Sequence, residues 1–517
     1  MSVFQAGGQK GKTTDDHILV AKQLRQINKN QKKPTYMTFL DVTKAYDKAW
    51  IDAIMYIMYK RGIKTNLWNT IESLNSNLTA TVATKFGPTR EIKIKDSIRQ
   101  GGVLSVLQYA LLMDEISKKI AKENLGIKIP GTETKVGSLL WMDDVLEIAS
   151  NTTEMQKMLN ITHKISSPFR IVYGEEKSKS MKEGTRGEKT NFHLGDMIIQ
   201  YTEKYKYLGH ILNEKGNAAD HIKEIKGKAE VAFQTAKMVA GNENFHGMEM
   251  ATFWELIDTC VIPVITYGGS TLDLNKGETK EINRILDNII KRILLLPPTT
   301  PRETLYIETG YTDISTQLMN SRLITEDRMR RNPNQLLQIV LNENIKNGWS
   351  DKNQKIKRTL AIEPEDTQGS KTEVKKKIKG KINTYFKNKM ETDGAEKSKV
   401  KFLLEGINNW NPGKRPLYME KLTRSQASII FKARTRMLEV KNNFRNMFNN
   451  NTCRLCGAEN ETQAHILQEC PQIHKDTTTK VTREDLFNNN INNLKETAHK
   501  IRTIIKTLLT DTSNRTS

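Results

Sequence analysis

Along the 517 residues the spacing of apolar positions changes period several times, and each change marks an element. Ile18, Leu19, Leu24 and Ile27 recur at helical spacing, which predicts a helix over 14–28 behind a Thr13/Asp16 capping pattern. The run 38–42 is apolar up to Asp41 and reads as a buried strand. A helix over 47–61 should follow, with Trp50, Ile54, Ile57 and Met58 on its apolar side and Gly62 as its stop. Residues 76–98 read as two strands turning at Gly87 and Pro88. Leu107, Leu111 and Ile120 place a helix over 105–121. The stretch "SLLWMDDVLEIAS" (138–150) reads as two strands flanking an acidic pair. A helix over 153–166, a turn "YGEEKSKS" and a short strand "KYLGHIL" come next. Further on, 253–265 and 282–296 are helical by spacing and are stopped by Pro263 and Pro297–Pro298. Residues 345–400 turn polar and Lys-rich ("KKKIKGK") and read as a partly ordered basic connector. "NTYFKNKM" and "RSQASIIFKARTRML" return to helix, and "NNLKETAHKIRTIIKTLL" is an amphipathic helix before a polar tail.

Composition narrows the function classes. Hydrophobic content is 37% and mean hydropathy −0.58, as in a polar globular chain. With no unbroken run of about 18 apolar residues, no membrane partner is expected. The first residues lack the charged-then-apolar order of a signal segment. The net charge of +22 suits a polyanion, with nucleic acid as the default; the alternative is a basic solvated surface in a Lys- and Asn-rich chain. Of the four cysteines, Cys260, Cys453, Cys456 and Cys470, three lie close together, which favours metal over disulfides.

Four stretches carry candidate chemistry. Asp143 and Asp144 adjoin at a strand turn, where two carboxylates repel unless a cation lies between them. The pair is either exposed and idle or a site for a hard cation such as Mg²⁺. Asp41, at the end of an apolar strand, needs a cation or a donor for the same reason. Gly7, Gly8 and Gly11 with Lys10 and Lys12 form a loop before a helix, either a phosphate cradle or a basic solvated turn. Cys453, Cys456, His465 and Cys470 have the spacing C-x2-C-x8-H-x4-C, a closed tetrahedral set for Zn²⁺. The stretch 464–469 should be a short helix.

In order, the chain presents "GGQKGKTTDDHI", "DVTKAYD", "RQGGVLSV", "WMDD", "EEKSKS" and "YLG". This series resembles the reverse transcriptase domain of non-LTR (LINE-like, jockey-type) retrotransposons, over residues 5–212 by motif and more weakly over 213–310. The resemblance implies an α+β right-hand polymerase. Partial fingers and palm would occupy 1–215, a helical thumb 216–310 and a basic helical connector 311–450. A zinc module would follow at 451–475 and a C-terminal helix and tail at 476–517. It implies RNA-directed DNA synthesis with two Mg²⁺ ions on Asp41, Asp143 and Asp144, and Zn²⁺ on the Cys/His set. Lys177 would protonate the departing pyrophosphate. Lys10 and Lys12 would face the triphosphate, and Gln100 and Gly101 would line the nucleotide. Tyr46 would lie beneath the sugar and exclude a 2′-hydroxyl. Tyr207, Leu208 and Gly209 would press on the primer end. Expected partners are template RNA, a DNA primer or target DNA, and dNTPs, in the nucleus after a cytoplasmic ribonucleoprotein stage. Departures are Gly8 and Gln9 for an aromatic residue and an arginine, Gly102 and Val106 for an acidic residue and a proline, and Gly174 for an asparagine. The family's upstream finger strands and endonuclease would precede residue 1, so a truncated copy is expected, and a non-catalytic nucleic-acid-binding remnant is the alternative. The palm motifs themselves are uninterrupted.

Overall fold

Strand Thr35–Asp41 is buried along almost its whole length because both of its faces are covered. Met37 and Phe39 face one core, with helix Thr14–Asn30, and Tyr36 and Leu40 face another, with helices Ile51–Lys60, Ser105–Lys122 and Thr152–Ser166. The strand is central in a six-stranded sheet of order Phe192–Leu194, Met197–Tyr201, Lys179–Glu183, Thr35–Asp41, Asp144–Ala149, Ser138–Trp141. Its pairing to both neighbours is antiparallel. A separate hairpin, Lys204–Tyr207 with His210–Asn213, turns at Leu208 and Gly209, both with positive φ as a two-residue hairpin requires.

This computed structural model describes residues 1–94, 96–240, 249–332, 335–407, 409–443, 450–457, 460–475 and 477–513. The chain forms two compact units. One comprises Met1–His221, Ser270–Asp273 and Arg322–Thr359, the other Ile222–Gly269, Leu274–Ser321 and Leu360–Ser517. These units cut across the five segments expected from sequence. Residues 322–359 belong to the sheet-bearing unit because Leu336, Leu337 and Val340 join the core of the first helix. Residues 360–400 belong to the helical unit. Helix Lys371–Gly394 buries Val374, Ile378, Ile382, Phe386 and Met390, one residue every fourth position, beneath its lysines. The basic segment there is a packed core helix, not a loose connector.

Several local expectations shift. The helix after Asp41 begins at Ile51, and a further helix, Thr65–Asn75, follows it. The 76–98 region is a narrow ribbon pairing Thr79–Ala80 with Ile92–Lys93 and Ala83–Thr84 with Gly87–Pro88, so Lys85 and Phe86 form the turn and Gly87 and Pro88 lie in a strand. The stretch read as one strand at "KYLGHIL" is the hairpin described above. The stretch Met250–Thr271 is long and apolar enough to cross a membrane by length and composition, against the expectation of none. Within the helical unit it is a packing element: Trp254, Ile257 and Val261 are fully buried, and Asp258 accepts from Tyr311 Oη at 2.6 Å and pairs with Arg415 at 3.0 Å.

Truncating the buried ring of the basic helix tests its role. Phe386→Ala should lower stability by about 3–5 kcal/mol in urea unfolding, while the exposed Lys379→Ala stays within about 0.5 kcal/mol. Superimposable Phe386→Ala and wild-type curves would restore the connector reading.

Candidate active site and metal cluster

The sheet brings the three palm carboxylates together. Asp41 closes the central strand directly opposite Asp144, which opens the neighbouring strand. Trp141 pairs with Asp144, so Met142 and Asp143 form a two-residue turn, with Met142 at φ 59°. That turn is braced by the N-terminal loop. The segment around Gln5 runs parallel to Leu140, Ala6 N–H donates to Leu140 O at 2.9 Å, and Met142 N–H donates to Gln5 Oε1 at 3.2 Å. A Cβ on Gly7 would sit 2.5 Å from Met142, and one on Gly8 2.1 Å from Val106 Cγ1. The glycines of the Gly/Lys loop therefore permit close approach to the carboxylate turn, which answers the phosphate-cradle expectation with a packing role.

Asp41 is not buried, as its apolar context suggested. Its side chain is 29% exposed, and Lys177 Nζ lies 3.7 Å from Oδ2, an exposed pair of little stabilising value. A cleft of about 600 Å³ opens there, walled by Asp41, Tyr46, Asp47, Gln100, Asp143 and Lys177. Gln100 Nε2 donates to Asp47 Oδ1 at 3.1 Å. Tyr46 is half-buried and stacks on Tyr109, centroids 5.4 Å apart and planes at 20°, so the ring is held from beneath. Burial, then Asp143 and Asp41, push the Asp144 carboxyl up to about 6; burial and Asp41 also raise Asp143. Three carboxylates crowd a half-buried site, the arrangement that a divalent cation relieves.

Other expected site residues lie elsewhere. Lys10 is exposed and outside the cleft walls, and Lys12 Nζ donates to the carbonyls of Gln5 (3.0 Å) and Val3 (3.5 Å). Neither is placed to grip a triphosphate, because Lys12 ties the loop back on itself. Gly101 has positive φ and open space around it, beyond the cleft wall that Gln100 forms. Tyr207 is a core ring, 2% exposed and packed against Phe39 at 5.6 Å, so it does not press on a primer. Leu208 and Gly209 make the turn. Its neighbour Tyr205, stacked on Phe39 at 4.2 Å and raised to about 12 by burial and by Asp41 and Asp144, is the ring beside the carboxylates. The two-residue alternation from Tyr207 was the available signal for Tyr205, while Tyr109 was hidden within a helical apolar run.

In the helical unit, Cys453, Cys456, His465 and Cys470 each offer a ligand atom within 4.8 Å of the others. Cys453 Sγ and Cys470 Sγ are 3.8 Å apart, and Cys456 Sγ lies 3.4 Å from His465 Nε2. A zinc–thiolate bond of about 2.3 Å in a tetrahedron puts two sulfurs about 3.8 Å apart, so these edges fit. His465 Nδ1 faces Glu469 at 3.9 Å, an orienting contact for a ligating imidazole. The expected helix there is one wide turn, His465–Glu469.

The crowded carboxylates set a pH dependence. Because the folded pKa of Asp144 is raised, its charge costs stability above about pH 6, and the cost disappears as falling pH protonates it. Without divalent metal, Asp144→Asn should therefore melt higher than wild type at pH 7.5, and the gain should shrink as pH falls through 6 toward the unfolded value. An unchanged or lower melting temperature at pH 7.5 would contradict carboxylate crowding.

Residues 1–212 match the family model described as reverse transcriptase (RNA-dependent DNA polymerase). The chain is 23% identical over 314 residues to the retrovirus-related Pol polyprotein from type-1 retrotransposable element R2 of Popillia japonica, covering 58% of this chain and 42% of that protein. It is 23% identical over 285 residues to the corresponding R2 polyprotein of Nasonia vitripennis, covering 52% and 26%. The chain thus spans less than half the length of these relatives. Among solved structures, apo telomerase from Candida tropicalis aligns over 73% of this chain and 57% of its own, at 13% identity and TM-score 0.35. Residues 1–212 thus carry a reverse transcriptase domain, and the chain is similar to the Pol polyproteins of R2 retrotransposable elements.

Proposed function

We propose that the chain is an RNA-directed DNA polymerase that extends a DNA primer, or a nicked target strand, on a template RNA with dNTPs, working in the nucleus. The observation that carries this is Asp41 facing Asp144 across two strands, with Asp143 at the turn, beside a cleft lined by Tyr46. Asp41, Asp143 and Asp144 are the residues to hold two Mg²⁺ ions, with Asp41 and Asp143 sufficient for the purpose and Asp144 the less critical. Bound, the cations supply activation of the primer 3′-hydroxyl and neutralisation of the leaving pyrophosphate. The 3′-oxygen forms a bond to the α-phosphorus as the bond from that phosphorus to pyrophosphate breaks. Lys177, exposed and beside Asp41, gives a proton to the leaving group. Tyr46, backed by Tyr109, presents a fixed ring beneath the sugar, where a 2′-hydroxyl would collide with it. The helices within 216–310 serve as the thumb. The Cys/His cluster holds Zn²⁺ and orders the C-terminal module, which supports the template RNA.

Primer extension by purified protein with Mg²⁺ is the direct test. Asp41→Asn and Asp143→Asn should each abolish extension and leave RNA binding within about threefold. Loss of folded protein in either variant would assign the carboxylates to the fold instead. Tyr46→Ala should admit rNTPs with a modest fall in dNTP use, because truncation relaxes discrimination by shape. An unchanged dNTP/rNTP preference would return Tyr46 to the core.

For the cluster, chelation or Cys456→Ser should make 450–475 protease-sensitive while fragments covering 1–212 persist, since ligand loss removes the binding energy that orders the module. Native protein without bound zinc by metal analysis would overturn the assignment.

A further inference from the structure

We propose that a concave cationic surface at the far end of the central strand binds the sugar–phosphate backbone of a nucleic-acid strand outside the template–primer cleft. It is a cavity of about 540 Å³ whose walls carry Arg25, Lys29, Lys32, Lys33, Arg186 and Lys215. Register fixes its place. Thr35 begins the strand that Asp41 ends and pairs with Glu183, so 32–33 and 184–186 meet at the same edge of the sheet. Six residue steps separate Thr35 from Asp41, about 20 Å along a strand.

The charge there is uncompensated. Only two carboxylates line the cavity, and both are engaged: Glu183 pairs with Arg25, while Glu214 pairs with Lys189 at 2.9 Å and accepts from Tyr201 Oη at 2.5 Å. Among the described residues, Lys29, Lys32, Lys33, Arg186 and Lys215 have no carboxylate within ion-pair distance. Like charges gathered in a concavity repel until an anion enters.

The walls are built rather than loose. Lys32 adopts φ 55° in a turn closed by Lys32 N–H to Lys29 O (3.1 Å) and Lys33 N–H to Asn28 O (2.9 Å). Asn28 Nδ2 donates to Pro34 O at 2.9 Å. On the other wall, a Cβ on Gly187 would lie 2.2 Å from Tyr36 Oη, so that loop is pressed against the sheet end. Cations spread over a helix end and two loops suit successive phosphates better than one small anion. Ammonium groups follow a backbone without reading bases.

The inference rests on the chain's handling nucleic acid as a polymerase, and the test keeps the two separable. The full chain carrying Lys29→Gln, Lys32→Gln, Lys33→Gln and Lys215→Gln is compared with a control bearing Lys119→Gln, Lys128→Gln, Lys157→Gln and Lys204→Gln, lysines that each have a carboxylate partner. Binding of a single-stranded RNA of about 40 nucleotides, and of the matching DNA, is followed over about 50–200 mM salt. The patch variant should bind about tenfold more weakly, with a log–log salt slope shallower by roughly two to three, given about 0.7 per phosphate contact. The control should stay near wild type, and extension of a saturating short hairpin template–primer should be unchanged. Loss confined to RNA makes the template the ligand; loss confined to DNA makes it the target strand. Wild-type affinity and slope in the patch variant, or equal losses in both variants, would overturn the surface. Failure of wild type to extend, with the binding loss intact, would sink the polymerase reading alone. If the quadruple variant melts early, Lys32→Gln with Lys33→Gln on the exposed turn repeats the test.

Discussion

Electrostatic repulsion among three carboxylates is the constraint that the palm is built to withstand. Asp41, Asp143 and Asp144 meet because the pairing register sets Asp41 opposite Asp144 while both faces of the strand are buried. A one-residue slip would carry Phe39 and Leu40 to the wrong cores. The cost shows in Asp144, whose proton is retained up to about pH 6 because burial and two neighbouring carboxylates oppose its charge. Nothing local neutralises the group except the exposed Lys177. The site is thus stable as a fold and unsatisfied as an electrostatic arrangement, which is the condition of a cation site.

The supports of that site follow from the same constraint. A hairpin turn holding a left-handed methionine and an aspartate is poorly specified by its own residues. It is held by Gln5, whose side-chain oxygen accepts from Gly7 and Met142, and by glycines small enough to let the loop reach it. The central strand's end is fastened by Asp41 N–H to Ser178 Oγ (3.2 Å) and Gly174 N–H to Asp41 O (2.9 Å). The turn carrying Lys177 is therefore fixed to the strand carrying Asp41.

Much of this was legible in the residues. Apolar runs located the central strand, the two strands around the acidic pair and the helices near 14–30, 105–122 and 152–166, and the order of acidic and Gly motifs located the cleft. The three short sheet strands between 179 and 201 were not read. What failed did so for physical reasons. Lys371–Gly394 hides a five-residue buried stripe among exposed lysines, so composition outweighed a fourfold spacing. Lys12 looked like a phosphate ligand because sequence shows charge but not the carbonyls that absorb it. Tyr207 and Tyr205 differ only in which one the hairpin turns into the core. The 322–359 segment joins the sheet-bearing unit through contacts some three hundred residues distant in sequence, a separation that periodicity cannot express.

The helical unit resolves its polar burden differently, and the contrast explains which charges are free to act. Glu308 and Arg434 are almost wholly buried and pair at 2.6 Å, with the guanidinium also over the Tyr418 and Phe487 rings. Asp313 pairs with Lys389 at 2.8 Å, and fully buried Glu461 accepts from Lys441 N–H and from the backbone and guanidinium of Arg454. Burial opposes ionisation of Glu461, yet Arg454 holds it below the usual carboxylate range. Removing one partner of such a pair leaves a buried charge, so these groups are committed to structure. Arg454 lies between Cys453 and Cys456, so its bonds to Glu461 shape the Cys-x2-Cys turn through protein contacts alone. The palm inverts the logic: there backbone pairing brings the carboxylates together and their one salt bridge is the exposed contact of Lys177 with Asp41, which is what keeps them available for chemistry.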